Sequence, residues 1–321
     1  MIKVAIAGGT GYTAGELLRI LVNHPEVEIG SVLSTTSAGK EISSFHTDLL
    51  GETDIRFTDT LEPADVLFLC LGHGLSREFI DTHDIPAGCH IIDLGNDFRT
   101  EPDYKGMHFV YGLPEFYQSE IAKTKYVANP GCFATCIQLG SAPLAKAGLI
   151  NDEIHVTAIT GSTGAGRKLS DTGHFSYRNN NISVYKSFTH QHLAEICDNL
   201  GKLSGKEVKV NFVPMRGDFT RGIFASIYTK CEASEYEAIA IYKEFYKDSP
   251  FVFVSDQPIS LKQVVNTNKA LINIAKHGEY LHITSEIDNL LKGASGQAVE
   301  NMNIMMGYER TCALKLKAPL F

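Results

Sequence analysis

The sequence has no excess of positive charge and no long hydrophobic run. Its 321 residues include 29 Lys and Arg against 37 Asp and Glu, a net charge of −8, and the basic residues form no run. This balance argues against a surface for nucleic acids or anionic membranes. No apolar stretch reaches the roughly 18 residues that a transmembrane helix needs. Residues 1–7 lead directly into a strand-like pattern, without the layout of a signal peptide.

Cysteines are few and scattered. The seven cysteines are an odd number and include no C-x-x-C pair, so we expect neither a disulfide framework nor a zinc ribbon and assign no metal ligand. Such a chain is typical of a reducing compartment, and we expect it in the cytoplasm. Because 321 residues approach the upper limit for one hydrophobic core, we also expect two domains.

The N-terminal part alternates short apolar strands with helical segments. Residues 2–8, 27–34, 65–71 and 90–94 are predicted strands, each rich in apolar residues. Strands at this spacing with helices between them indicate βαβ units. The fold class predicted for this part is therefore α/β, with a Rossmann-type parallel sheet.

After Pro130 the pattern changes. A helix is predicted over 132–147, and a Gly/Ser/Asn-rich stretch runs from 161 to 183. Long alternating strands with few helices between them predict an α+β domain with a mostly antiparallel sheet. The other predicted elements are strands over 154–160, 206–213, 221–231 and 279–286 and helices near 233–247 and over 293–306.

A glycine-rich turn, residues 8–15, follows the first strand and precedes the first helix. Small residues there let the backbone approach a dinucleotide pyrophosphate at the N-terminus of a helix. The loop after the second strand, residues 34–40, has hydroxyls and a lysine but no acid, which favours NADP over NAD. The predicted cofactor-binding residues in these two stretches are Gly8, Thr10, Gly11, Tyr12, Thr13, Ser34, Thr35, Ser37 and Lys40.

Cys132 is the candidate nucleophile. Pro130 and Gly131 place it in the first turn of the predicted helix, where the helix dipole and free N–H groups stabilise a thiolate. The same N–H groups can hold an oxyanion formed by attack on a carbonyl. Cys136, one turn further on, is predicted to be structural. The other cysteines are predicted to lie in the core: Cys70, Cys89, Cys197, Cys231 and Cys312.

A thiolate nucleophile needs a partner for proton transfer. Thr189 is predicted to cap a helix that begins at His190 and ends near Gly201. On such a helix His190 and His192 lie about 200° apart, so only one faces the site. Glu195 is three residues from His192 and is its neighbour, which selects His192 as the acid/base and Glu195 as its orienting carboxylate. The alternative is that both histidines are surface residues.

Three arginines are candidates for binding a carboxylate or a phosphate. Arg99 follows Asp97-Phe98, Arg167 ends the flexible loop that starts at Gly161, and Arg221 precedes a glycine. The alternative for each arginine is a surface ion pair.

Taken together, these stretches resemble the N-acetyl-γ-glutamyl-phosphate reductase family, which belongs to arginine biosynthesis. The resemblance runs through nearly the whole chain, and residues 129–135 around Cys132 are its most specific part. It implies an NADP-binding Rossmann domain over 1–128 plus 293–321 and a catalytic and oligomerisation domain over 129–292. It also implies a homodimer or homotetramer formed through the sheet of the second domain.

The resemblance also implies a reaction. Cys132 attacks the γ-acyl phosphate of an N-acyl-glutamyl phosphate and expels phosphate, NADPH reduces the resulting thioester to the semialdehyde, and His192 with Glu195 serves the proton transfers. Further contacts implied by the resemblance are Ser162, Gly164 and Gln297 to the cofactor and Asn129, Arg99, Arg167 and Arg221 to the substrate.

Four alternatives remain open at this point. The acyl group is N-acetyl or N-succinyl, since no residue decides between them. Aspartate-semialdehyde dehydrogenase shares the cysteine–histidine plan and acts on a shorter substrate. A thiol amidase would use Cys132 and His192 without a nucleotide. A non-catalytic nucleotide sensor would bind NADPH and be indifferent to alkylation of Cys132.

Overall fold

The structure is a computed structural model that describes all 321 residues, and the chain divides into two compact units. The first unit contains Met1–Pro130 and Ala294–Lys315, and the second contains Gly131–Gly293 and Leu316–Phe321. Residues 316–321, expected in the nucleotide-binding domain, belong instead to the second unit because the residues they contact lie there.

The first unit contains nine strands and three helices before the chain enters the second unit. They are β1 (Ile2–Ala7), α1 (Tyr12–Leu21), β2 (Val27–Leu33), β3 (Phe57–Thr58), β4 (Val66–Leu69), α2 (Ser76–Thr82), β5 (His90–Asp93), β6 (Asp103–Tyr104), β7 (Met107–His108), β8 (Val110–Tyr111), α3 (Pro114–Ile121) and β9 (Tyr126–Ala128).

Seven of these strands form one parallel sheet in the order β3-β2-β1-β4-β5-β9-β8, and β6 and β7 form a separate antiparallel pair. Residues 4–7 of β1 and 66–69 of β4 have no exposed surface, as expected for parallel strands covered on both faces. Strand β2 lies on one side of β1 and β4 on the other, so the chain crosses over β1 between β3 and β4. A dinucleotide binds outside the carboxyl ends of the strands at such a switch point. The predicted Rossmann-type sheet is confirmed.

The second unit contains seven strands and four helices. They are α4 (Cys132–Lys146), β10 (Ile154–Thr160), α5 (Phe175–Arg178), β11 (Ser183–Val184), α6 (His192–Ser204), β12 (Val210–Arg216), β13 (Ile223–Lys230), α7 (Glu235–Phe245), β14 (Val252–Ser255), β15 (Ala270–His277) and β16 (Tyr280–Ile287).

The strands of the second unit form one mixed sheet in the order β11-β12-β10-β13-β16-β15-β14. The pairs β10–β12 and β14–β15 are parallel and the other four are antiparallel, so the predicted mostly antiparallel sheet is confirmed. Strand β10 has the predicted bounds, whereas β12 begins at Val210, four residues later than predicted. The strands β14 and β15 were not predicted.

The two faces of this sheet differ. One face is buried and packs against α4. The other face, which we call the open face, carries half-buried side chains. Its register places Thr157, Ser226, Thr284 and Asn273 side by side across β10, β13, β16 and β15.

A turn of π-helix, Leu291–Ser295, precedes the last helix, α8 (Gly296–Met305). The helix belongs to the first unit and begins three residues later than predicted, because the π-turn takes up the preceding residues. Its Asn301 Nδ2 donates to the Gly112 carbonyl oxygen at 2.9 Å and to Asn129 Oδ1 at 3.0 Å. None of the helices combines the length and the apolar character that a membrane crossing requires.

Candidate active site

The glycine-rich turn of the first unit has room only for backbone at two positions. Gly8 has a φ of +81°, and a Cβ there would lie 2.5 Å from the Cys70 carbonyl oxygen. A Cβ on Gly9 would lie 2.5 Å from Val32 Cγ1. Gly11 precedes α1, and no side chain caps the N-terminus of this helix. The turn therefore offers backbone N–H groups and a helix N-terminus to an anion, which fits a dinucleotide pyrophosphate.

His46 supports this turn and was not found by sequence reasoning. Its Nε2–H donates to the Gly9 carbonyl oxygen at 2.7 Å. A Cβ on Gly15 would lie 2.6 Å from His46 Nδ1, and the histidine is only 8% exposed. The imidazole thus packs closely on both ends of the turn. No local signal identifies it, because His46 lies 37 residues from its partner in the sequence.

The loop after β2 is folded by two backbone hydrogen bonds, from the Ser37 N–H to Ser34 and from the Lys40 N–H to Ser37. Ser37 is buried, whereas Thr35 and Lys40 are exposed. Arg56 lies beside the loop, and its Nη1 donates to the Gly39 carbonyl oxygen at 3.0 Å. The loop therefore combines hydroxyls with Lys40 and with Arg56, whose Nη2 also pairs with Glu41 Oε1. Arg56 is an addition to the predicted set.

Cys132 is the first residue of α4 in the second unit, as predicted. The preceding Gly131 is extended (φ −69°, ψ 150°), no side chain caps the helix, and its first turn contains no acidic residue. A half-buried Cys132 thus stands at a helix N-terminus where the dipole and the N–H groups favour negative charge. Gly293 packs against this cysteine, because a Cβ at position 293 would lie 2.9 Å from Cys132 Cβ.

His192 and Glu195 face the residue that precedes the nucleophile. A Cβ on Gly131 would overlap His192 Nε2, and the Gly131 N–H donates to Glu195 Oε2 at 3.2 Å. His192 Nε2 and Glu195 Oε1 are 3.9 Å apart, with exposures of 5% and 2% for the two residues. His192 and Glu195 are therefore close together, as predicted, and both contact Gly131, the residue before Cys132. The distance between them is that of an ion pair rather than a hydrogen bond.

Two expectations about the histidines were wrong. The helix α6 begins at His192 rather than at His190, and Thr189 does not cap it, since Gln191 holds the N-cap position. His190 therefore lies outside the helix, and the angular argument does not apply to it. The two imidazole centroids lie 4.6 Å apart, and the His192 N–H donates to His190 Nδ1. Neither histidine is a surface residue, because His190 is only 6% exposed and His192 only 5%.

Tyr185 is a further residue near the nucleophile that sequence reasoning missed. Burial raises the pKa of its phenol, and a negative charge on Cys132 raises it further. The Arg216 guanidinium stacks over the Tyr185 ring at 4.9 Å, and the His190 ring lies edge-on to it at 5.8 Å. Tyr185, Arg216 and His190 thus pack together in the second unit, near Cys132.

Arg221 is held by a buried carboxylate. Its Nε and Nη2 donate to Asp288 Oδ2 and Oδ1 at 3.0 and 3.2 Å, and the Arg221 side chain is 17% exposed. Arg167 is exposed. Ser162 and Gly164 lie in the short turn Ser162–Ala165, which the Ser162 N–H joins to the Phe219 carbonyl oxygen at 2.8 Å.

The other predicted residues belong to the first unit. Arg99 is 8% exposed, and its Nε and Nη2 donate to the carbonyl oxygens of Asn129 and Leu94. Asn129 Nδ2 donates to the Ala294 carbonyl oxygen at 3.1 Å. Gln297 is fully buried in α8. The structure therefore brings Arg99 and Asn129 together, and it places Arg167 and Arg221 in the other unit.

Two family models match the sequence. The "Semialdehyde dehydrogenase, NAD binding domain" matches residues 3–124, and the "Semialdehyde dehydrogenase, dimerisation domain" matches residues 132–289. The N-acetyl-gamma-glutamyl-phosphate reductase of Flavobacterium johnsoniae is 55% identical over 321 residues, 99% of either chain. That of Phocaeicola vulgatus is 52% identical over 324 residues, 100% of either chain. The chain belongs to the N-acetyl-γ-glutamyl-phosphate reductase family.

Membership of this family confirms the predicted resemblance and the enzyme class. The N-acetyl-γ-glutamyl-phosphate reductases are oxidoreductases with a nicotinamide-dinucleotide-binding domain, so the predicted nicotinamide cofactor is confirmed as well. Aspartate semialdehyde dehydrogenase of Francisella tularensis has the same fold, with a TM-score of 0.72 over 95% of this chain and 100% of that one. It is only 16% identical, whereas the relatives above 50% identity carry the reductase name.

The other cysteines of this family member differ from Cys132 in their surroundings. Cys136 is fully buried and its Sγ donates to the Ser285 carbonyl oxygen at 3.2 Å. Burial raises the pKa of Cys136, and it raises that of Cys70 to about 12. Cys197 and Cys312 are half-buried, so the expectation that they lie in the core was wrong. None of the seven cysteines forms a disulfide within the chain.

Proposed function

We propose that this chain catalyses the NADPH-dependent reduction of N-acetyl-γ-glutamyl phosphate to N-acetylglutamate semialdehyde and phosphate, a step of arginine biosynthesis. The observation that carries the proposal is Cys132 at the uncapped N-terminus of α4, with His192 and Glu195 packed on the preceding Gly131. The names of full-length relatives at 52–55% identity support the choice of substrate.

In the first half-reaction the Cys132 thiolate attacks the acyl carbon. The C–S bond forms as the C–O bond to phosphate breaks, and phosphate leaves with the electron pair. The acyl oxygen carries negative charge in the transition state, and the N–H groups of the first turn of α4 stabilise it. Removing one such donor typically lowers kcat by about 10²- to 10³-fold.

In the second half-reaction the thioester is reduced. When bound, NADPH supplies a hydride to the thioester carbonyl carbon. His192 donates a proton to the oxygen as the hemithioacetal forms and takes it back as the aldehyde is released and Cys132 becomes a thiolate again. Glu195 binds the Gly131 N–H and lies 3.9 Å from His192 Nε2, so it holds the imidazole beside the nucleophile's helix and stabilises the imidazolium.

Charged groups of the substrate need cations. Arg221 is fixed by Asp288, and Arg167 is exposed at the end of the Gly161 loop. We assign these two arginines to the carboxylate and the phosphate of the substrate, because a guanidinium binds either group through two parallel hydrogen bonds. Arg99 and Asn129 remain predicted substrate contacts.

The cofactor is NADP. The turn over residues 8–13 is assigned to the pyrophosphate. Ser34, Thr35, Ser37 and Lys40 are assigned to the 2′-phosphate, together with Arg56, and Ser162, Gly164 and Gln297 remain predicted contacts. The absence of an acid from residues 34–40 and the two cations beside this loop support NADP over NAD.

We propose a homodimer or homotetramer formed through the open face of the second unit, in the cytoplasm. The half-buried row of Thr157, Ser226, Thr284 and Asn273 supports this face as the interface, and the matching family model is named for dimerisation. The lack of a disulfide among the cysteines supports a reducing compartment. Sedimentation velocity tests the assembly, and a monomer at micromolar concentration would contradict it.

The reaction is tested in reverse, because the semialdehyde is easier to handle than the acyl phosphate. N-acetylglutamate semialdehyde, phosphate and NADP are mixed with the enzyme, and reduced nicotinamide is followed by absorbance. The N-succinyl analogue and aspartate semialdehyde run alongside, with Cys132→Ala as the blank. Phosphate-dependent turnover of the N-acetyl compound is expected. Preference for the N-succinyl compound would change the acyl group, and turnover of aspartate semialdehyde alone would refute the proposal.

A further inference from the structure

Asp288 is a buried carboxylate that accepts hydrogen bonds from three separate segments. It has no exposed surface and directly follows β16. Its Oδ2 accepts from Arg221 Nε at 3.0 Å and from the Asn266 N–H at 2.7 Å. Its Oδ1 accepts from Arg221 Nη2 at 3.2 Å and from the N–H groups of Leu290 and Leu291 at 2.8 and 3.1 Å. Both oxygens accept hydrogen bonds from N–H groups only.

These bonds connect Arg221 to the surroundings of the nucleophile. The N–H groups of Leu290 and Leu291 lie at the start of the π-turn, and the Gly293 N–H closes this turn on the Asp288 carbonyl oxygen at 2.9 Å. Gly293 in turn packs against Cys132. One carboxylate therefore holds the guanidinium and the turn that contacts the reactive cysteine.

The next residue reinforces the same junction. Asn289 Oδ1 accepts from the Gly222 N–H at 2.7 Å, and its Nδ2 donates to Thr163 Oγ1 at 3.0 Å. The backbone on the C-terminal side of Arg221 and the turn that carries Ser162 and Gly164 are thus fixed to residues 288–289.

We infer that Asp288 is a positioning residue that fixes the Arg221 guanidinium relative to Cys132, so that a bound carboxylate or phosphate leaves the acyl carbon beside the thiolate. The inference rests on the proposed function. An arginine side chain is flexible when free, and two hydrogen bonds to one carboxylate fix the plane of its guanidinium. Misplacement of a reacting group by about 1 Å can cost on the order of 10²-fold in rate.

Asp288→Asn is the most specific perturbation. It keeps the shape of the side chain but replaces one oxygen by an NH2 group, and in either orientation that group meets N–H donors. We expect kcat/KM for the semialdehyde to fall by about 100-fold, through a higher KM because the Arg221 guanidinium loses its fixed plane and through a lower kcat because the acyl carbon is misplaced. Glu286→Gln is the matched control, because Glu286 is an equally buried carboxyl two residues earlier whose oxygens contact none of these groups.

A double-mutant cycle separates positioning from a general structural role. If Asp288 affects KM through Arg221, Asp288→Asn adds at most about threefold to the KM of Arg221→Ala, because the contribution that passes through the guanidinium is already lost in that variant. Multiplication of the two effects would overturn the inference. So would a KM for Asp288→Asn equal to that of the control.

A second variant covers the case in which Asp288→Asn does not fold. Arg221→Lys keeps the positive charge but cannot bind both carboxylate oxygens in one plane. We expect its KM to rise about tenfold or more, and an unchanged KM would overturn the inference. NADP binding and wild-type turnover are measured in parallel. Failure of wild-type turnover refutes the proposed function, whereas normal wild-type turnover with unaffected variants refutes only the role of Asp288.

Discussion

Glu286 is a buried carboxyl group whose ionisation opposes folding. It has no exposed surface, and neither of its oxygens has a hydrogen-bond partner. Its cross-strand neighbours in the sheet are Phe224 on β13 and Leu271 on β15. Burial in this apolar row raises the pKa of Glu286 from 4.5 to about 7, because a charge without a partner is poorly solvated there.

The shift sets the size and the sign of a pH effect. One pKa unit corresponds to about 1.4 kcal/mol, so the ionised group costs up to about 3 kcal/mol of folding stability. Because the pKa is higher in the folded state, the folded protein binds more protons between pH 4.5 and about 7. The free energy of unfolding therefore falls as the pH rises through this window.

Glu286→Gln removes the ionisation and keeps the size of the side chain. Relative to the wild type, we expect the variant to gain about 2 to 3 kcal/mol in free energy of unfolding between pH 5 and pH 8. Urea unfolding at both pH values measures it, at one protein concentration because assembly also contributes to stability. Subtraction of the wild-type curve removes the contribution of other groups that titrate in this range. One of them is Asp93, since burial raises its pKa to about 6.

The reasoning would be refuted by a difference between variant and wild type that does not change with pH. Such a result would mean that Glu286 is either neutral over the whole range or solvated when charged. A variant that is less stable than the wild type at pH 8 would point to an unrecognised favourable interaction of the carboxylate.

Three further predictions concern catalysis and the cofactor. Cys132→Ala abolishes reduction but leaves NADPH binding intact, as measured by nucleotide fluorescence; retained turnover would refute the covalent mechanism. His192→Asn lowers kcat by on the order of 10²-fold because the acid/base group is lost, and His190→Asn lowers it far less; the reverse order in steady-state kinetics would transfer the role to His190. His46→Ala weakens NADPH binding about three- to tenfold, because the Gly9 carbonyl loses its donor; His108→Ala, an exposed histidine of the same unit, serves as the control, and equal affinities would contradict the supporting role.

The local features of the two sites could be predicted from consecutive residues. The glycine-rich turn and the helix start at Cys132 depend on backbone conformation and on N–H groups within a few residues, so their sequence signals are self-contained. The same holds for the pairing of His192 with Glu195, because residues three apart are neighbours on any helix. The parallel sheet was predictable for a related reason, since strands buried on both faces are continuous apolar runs.

Contacts between distant segments were decided by the tertiary structure. The partners Arg221 and Asp288 are 67 residues apart, and His46 is 37 residues from Gly9. Nothing in either local sequence distinguishes these residues from surface ones. His190 was misplaced because the helix began two residues later than its pattern suggested.

Glu286 illustrates the remaining limit. In the sequence Glu286 continues the alternating pattern of β16 on the face that carries the half-buried His282 and Thr284, but Glu286 itself is fully buried. Only the register of β13, β16 and β15 surrounds it with apolar side chains. Local sequence determines which backbone conformations and which chemical groups a segment offers. The packing of segments far apart in the chain determines which of these groups are buried, paired or placed beside the reactive thiol.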